Sequence, residues 1–166
     1  MFNNRERNII LTGDIEANNS IAVCANLLDL DSEEEITLFI NSAGGSINAG
    51  YAIIDVMHAL DSPVNIVAIG YVASMATSIM ALGEKGRRYA YSHTVFLIHN
   101  PRTKTEGNYG ELKVDLNHLL KTEKSMITDL AKATGQTKEQ ITKDFKLERT
   151  FTAKEAKKYG LIDHII

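Results

Sequence analysis

A single cysteine in 166 residues leaves no disulfide to form within the chain, which suits a reducing compartment. That residue, Cys24 in "SIAVCANLL", lies in line with Ile21, Leu27 and Leu28 at helical spacing. It is expected to be a buried apolar thiol rather than a nucleophile. Long hydrophobic runs are missing too, none reaching the ~18 residues of a membrane span. The opening "MFNNRERNIILTGDIE" lacks the basic-then-apolar layout and small-residue cleavage site of a signal peptide, so a cytoplasmic protein is expected. Neither sign of charge dominates: 18 Lys and Arg against 21 Asp and Glu give a formal net charge of −3. That balance offers no footing for nucleic acid or an anionic membrane. The 5 histidines are scattered and no Cys/His cluster has zinc spacing, so neither metal nor cofactor is expected. Linkers, low-complexity tracts, charge blocks and repeats are absent as well, which predicts one domain over residues 1–166.

What is present is an ordinary globular composition, 44% hydrophobic and 23% charged, long enough for a real core. Residues 8–12 (NIILT) read as a strand and about 18–30 as a helix. "EITLFIN" is a strand, followed by "GG" and a helix through "INAGYAIIDVMHAL". "PVNIVAIG" is a strand rich in Val and Ile, "SMATSIMALGE" a helix, and "RRYAY" and "TVFLIH" are strands. A long helix covers "NYGELKVDLNHLLKTEKSMITDLAKATG", short helices lie near 137–144 and 153–159, and "LIDHI" is a last strand. Such alternation predicts parallel βαβ units with right-handed crossovers. Near-continuous apolar strands predict a sheet covered on both faces. The fold class is α/β.

In the long helix Leu112, Leu116, Leu119, Leu120, Ile127 and Leu130 form one stripe. About 24 residues at ~1.5 Å each span roughly 36 Å, more than a domain of this size needs. The helix either lies across the whole domain or projects as a handle toward another subunit.

Three stretches carry candidate chemistry. In "IVAIGYVASMATSIMALG" the apolar run breaks at Gly70, and Ser74 stands where a strand gives way to a small-residue helix. It is either an N-cap or a nucleophile presented on a strand-to-helix turn. In "NSAGGSINAG" the pair Gly44–Gly45 follows a strand and allows close backbone approach, with N–H groups aimed into a crevice. A phosphate loop is the rival there, but the segment lacks both the Lys-Ser/Thr ending and a G-x-G-x-x-G pattern. In "TVFLIHNP" His99 ends a strand and Pro101 forces an extended Asn100, at the strand end where open α/β sheets build sites. Asp144 and Glu148 in "TKDFKLERTFTAKEAKKYGLID" offer carboxylates.

Together these segments, with "GELKVDLNHLLKTEK", "ATGQTKEQITKD" and "TAKEAKKYGLIDHII", closely resemble the ClpP family, the proteolytic subunits of Clp proteases, from about residue 8 to the C-terminus. The resemblance implies a ClpP/crotonase-like spiral of ββα units with a projecting handle helix. It implies a serine endopeptidase acting on peptides or unfolded proteins, with the serine of "ASM", Ser74, as nucleophile and the histidine of "H-x-P", His99, as general base. The third triad position falls on Glu148, and the oxyanion-hole donors are the backbone N–H groups of Gly45 and Met75. No metal or cofactor is implied. Partners by resemblance are copies of the chain in heptameric rings and a Clp ATPase.

The chain also departs from the family pattern. Glu stands where the family has Asp, with Asp144 one helical turn earlier as an alternative. "NSAGGS" lacks the usual Pro before the glycines. Lys146-Leu147 replaces an Asp-Arg pair linked to ring-on-ring contact, which predicts a weak or state-dependent double ring. The first strand comes within a dozen residues of the start, which argues against docking an ATPase by the family's axial contacts. Two other readings follow: a regulatory subunit assembling with an active paralogue, and an acyl-CoA enzyme of the related crotonase fold.

Overall fold

The structure is a computed structural model that describes residues 4–102 and 106–166. The first three residues of the opening stretch read above lie outside the described residues. After a 3₁₀ turn at Arg5–Arg7, β1 (Asn8–Thr12) leads to α1 (Ala17–Asp29), β2 (Ile36–Ser42) and α2 (Ile47–Ala59). Next come β3 (Val64–Ala73), α3 (Met75–Ala81), β4 (Arg88–Ala90) and β5 (Val95–Leu97). The long α4 (Tyr109–Thr134), α5 (Lys138–Lys146), β6 (Thr150–Thr152), α6 (Ala153–Tyr159) and β7 (His164–Ile165) complete the chain. None of the described helices is long and apolar enough to cross a membrane.

The strands form one sheet in the order β1-β2-β3-β4-β7, parallel throughout, with β5 and β6 branching from β3. The branch point is Gly70. Before it, Ile66–Ala68 of β3 pair with β4; after it, Tyr71–Ala73 pair with β5. Gly70 has φ +64, a left-handed conformation that glycine adopts without Cβ strain, so the strand bends and changes neighbour there. The expectation that the strand ends at Gly70 is therefore corrected: it continues three residues and delivers Ala73 to the edge of the site. A second correction concerns direction. β6, a segment to which the sequence reading assigns no element, pairs antiparallel with β5. Three residues are too few to show an alternation pattern.

The core is mostly aliphatic, with Leu27, Ile36, Leu38, Ile40, Ile53 and Ile66 fully buried, and Phe96, Phe145 and Phe151 are its largest fully buried side chains. On α1 it takes Ser20, Val23 and Leu27, a stripe at i, i+3 and i+7, because that face meets β1 and α2. Ile21 and Leu28 point to solvent instead, and Cys24 is half-buried at the margin of the core. The expected apolar face was rotated by one position. Burial still pushes the Cys24 thiol above its ordinary range, against a smaller backbone hydrogen-bond effect, which suits an inert side chain.

One charged side chain ties the far end together. Arg88 is buried and donates to both Asp163 oxygens, at 2.9 and 2.6 Å, and to the carbonyls of Ala81 and Gly160. It thereby joins β4 to the ends of α3 and α6. Burial raises the Asp163 pKa, but the Arg88 hydrogen bonds and the Gly86 amide outweigh it and hold this carboxyl below the usual range.

Helix α4 behaves as the stripe predicted. It is capped by Asn108, whose side chain accepts from Gly110 and Glu111, and it ends at Gly135 in the left-handed conformation. Only its second half docks, through the buried Met126 and Leu130. In its first half Leu112, Val114, Leu116 and Leu120 are exposed, so the helix does outrun its own core.

Candidate active site

Ser74 occupies the N-cap position of α3 yet caps nothing: its side chain accepts no bond from the helix. Its backbone sits at φ 56, ψ −126, and Glu148, at φ 49, is the other described non-glycine residue with positive φ. A serine held there costs of order 1–3 kcal/mol, which the surroundings must impose. They do so from two sides. The Ser74 amide donates to Leu97 O at 2.9 Å, fastening the end of β3 to the end of β5. The Thr77 hydroxyl lies 2.9 Å from both Val72 O and Leu97 O, tying the same two strand ends to the first turn of α3.

The glycine pair explains itself by contact. A Cβ on Gly44 would stand 2.6 Å from Ser74 Cβ and 2.7 Å from Ala73 O. One on Gly45 would stand 2.3 Å from Ile15 O. Ile15 bridges this loop in parallel: its N–H donates to Gly44 O (2.8 Å) and its carbonyl accepts from Ser46 N (2.7 Å). The residue between two such bonds turns its own N–H to the opposite side. Neither the Gly45 nor the Met75 amide has an acceptor among the described residues, whereas Gly44 N is taken by Ser42 Oγ at 3.1 Å. Met75 is further positioned by its side chain, which packs where a Cβ on Gly50 of α2 would be.

His99 follows β5. Leu97 pairs with Thr150, the last pair of the ladder, and Ile98 N donates to Arg149 O at 3.0 Å, which brings the chain at His99 to the turn that carries Glu148. Asn100 N donates to Phe145 O at 3.3 Å, so both neighbours of His99 are anchored to the turn that carries Glu148. His99 Nδ1 is buried and has no partner among the described residues, and the same holds for Asn100 Oδ1. The Glu148 carboxylate is exposed and pairs with Arg102. Backbone proximity is thus present without a His99–Glu148 hydrogen bond.

Asp144, the alternative carboxylate, is engaged elsewhere. It is buried and accepts from Arg149 Nη1 at 3.0 and 3.1 Å, Gln140 Nε2 at 2.8 Å and Tyr159 OH at 2.7 Å. Burial alone would raise its pKa, but the bonds from Gln140, Tyr159 and Arg149 outweigh it and leave the carboxyl below the usual range. A depressed carboxyl contributes stability that is present above the unfolded value, about 3.9, and lost as pH falls through the folded one. Asp144→Asn is therefore expected to cost about 2–3 kcal/mol at pH 7, since Tyr159 and Arg149 lose a charged acceptor. The variant should also show a flatter stability curve below pH ~4 than the parent. Denaturant melts at several pH values check both.

Beside Gly45 runs a groove of about 330 Å³, walled by Ser46 and Asn48 on one side and by Asp115, His118, Leu119 and Thr122 of α4 on the other, with Arg102 along it. Among the described residues no group of His, Cys, Asp or Glu side chains is arranged to hold a metal ion.

A mixed α/β architecture with a mostly parallel sheet and, among the described residues, six α-helices is consistent with the ClpP-like fold. The chain belongs to the Clp protease family, whose model matches residues 2–166. By family it is a ClpP-like peptidase. Arg102, Thr77 and Asn100 carry no local signal that sequence reasoning could have used: the Arg102–Glu148 pair, for example, spans 46 positions.

Proposed function

We propose that this peptidase is a serine endopeptidase with Ser74 as nucleophile, His99 as general base, Glu148 as orienting carboxylate, and the Gly45 and Met75 amides as the oxyanion hole. The observation that carries the reading is Ser74 itself, held at positive φ with an unused hydroxyl beside the free amide of its own helix. Backbone strain persists where the surroundings are built to keep it, and active sites are where it concentrates.

The chemistry runs as follows. His99 Nδ1 is buried, so in this reading the imidazole acts through Nε2 and takes the Oγ proton as Oγ attacks the peptide carbonyl. The oxyanion collects the Gly45 and Met75 N–H groups, each worth about 10²–10³ in rate. His99 then returns the proton to the leaving amine, and water, deprotonated by the same imidazole, releases the acyl group from Ser74. An extended peptide fits the groove between the start of α2, at Ser46 and Asn48, and α4. The exposed leucines of α4 support self-association through the handle, into rings that would shield folded proteins from the site.

The Arg102–Glu148 pair and the unpartnered His99 Nδ1 favour a second reading, a weakly active or regulatory subunit. A serine-directed fluorophosphonate separates the two. The expected result is one phosphonyl group, mapped to Ser74 by peptide mass, together with hydrolysis of short fluorogenic peptides without ATP. A protein that stays unlabelled and inactive supports the regulatory reading and overturns the endopeptidase one.

A further inference from the structure

We propose that Arg102 is a positioning residue of this site: it holds the Glu148 carboxylate away from His99, and the triad closes only when that ion pair opens. The inference rests on the serine-peptidase reading above. Four observations converge on it. Ile98 N donates to Arg149 O, and the Asn100 and Glu148 amides share the acceptor Phe145 O, so the backbone on both sides of His99 meets the turn that carries Glu148. His99 Nδ1 is nevertheless buried without a partner, an arrangement that costs free energy until an acceptor arrives. The Glu148 carboxylate is occupied by the Arg102 guanidinium. Asp144 cannot stand in, because Arg149, Gln140 and Tyr159 hold both of its oxygens.

The backbone of Glu148 is fixed: its amide donates to Phe145 O and that of Leu147 to Lys143 O, both at 3.2 Å. Only the side chain has to swing, from Arg102 to His99. Arg102 is 69% and Glu148 57% exposed, so the pair is a weak, salt-screened one that modest competition opens. Competition is at hand from the groove, since Arg102 also lines the stretch that passes Gly45. A peptide lying in that groove must move the guanidinium or contact it. Arg102 thus couples occupancy of the groove to completion of the triad.

The test compares the full-length protein with its Arg102→Gln, Arg102→Lys, Glu148→Gln and Arg102→Gln/Glu148→Gln variants, using fluorophosphonate labelling rates and peptide kcat. Arg102→Gln should label and turn over about two- to fivefold faster, the range an exposed ion pair allows. Added salt should accelerate the parent and Arg102→Lys, which keeps the pair, but not Arg102→Gln. The double variant should be no faster than Glu148→Gln, because the gain acts only through that carboxylate. Equal or lower rates for Arg102→Gln, or the same gain in the double variant, overturn the inference while Ser74 labelling stands. Absence of Ser74 labelling in every variant overturns the peptidase reading and this inference with it.

Discussion

Ser74→Ala is expected to abolish peptide hydrolysis and to leave the fold and its stability unchanged. Ser74 Oγ makes no hydrogen bond to any described residue, so its removal breaks nothing structural. Alanine at φ 56 meets the same backbone cost as serine, which keeps the comparison clean. The loss in kcat should be of the order of 10⁴–10⁶, the scale on which serine nucleophiles act. Ser74→Gly sharpens the test. Glycine relieves the positive φ, so this variant should be equally inactive and more stable by about 1 kcal/mol. A side chain whose loss removes activity and whose backbone strain disappears with it is one kept for chemistry. Retention of more than a few per cent of turnover in Ser74→Ala, with the protein folded by circular dichroism, overturns the nucleophile assignment.

Gly45→Ala should be severely damaging to both activity and stability. Its Cβ would sit 2.3 Å from Ile15 O and 2.7 Å from Ile15 N, and both are backbone atoms that cannot swing aside. At φ 148 the residue also lies where side chains are rarely accommodated. The loop must break its bridge to Ile15, carrying the Gly45 amide out of line with that of Met75. We expect kcat to fall by about 10²–10³, as for loss of one oxyanion donor, with KM changed much less. Stability should fall by about 2–4 kcal/mol, within the range of overpacking plus backbone strain. Gly86→Ala provides the control: it also has positive φ, but nothing lies within 4 Å of its Cβ, so it should cost little activity. Kinetics and denaturant melts on the two variants decide the matter. Full oxyanion function in a stable Gly45→Ala protein would remove that amide from the mechanism.

Much of the architecture was legible in the residues. The stripe from Leu112 to Leu130 announced a helix longer than its core, with Asn108 and Gly135 at its ends, because caps and 3.6-residue spacing are local properties. Alternation of apolar runs with helical segments sufficed for a parallel sheet. Short pieces fared worse. β6 and the orientation of α1 depend on which neighbour each face meets, and three residues or one turn carry too little pattern to say.

By itself, then, the sequence determined the fold class, the family and the three segments that meet at the site, since strand propensity, glycine placement and motif spacing are written along the chain. Tertiary structure alone decided how those segments meet. It carried β3 past Gly70 to Ala73, held Ser74 at positive φ beside Gly44, assigned Asp144 to a buried network and Glu148 to Arg102, and left His99 Nδ1 without an acceptor among the described residues. The physical reason is that hydrogen-bond partners and charge pairs are chosen by distance in space. Here they join residues dozens of positions apart, such as Arg102 and Glu148 or Ser74 and Leu97, which no local pattern links.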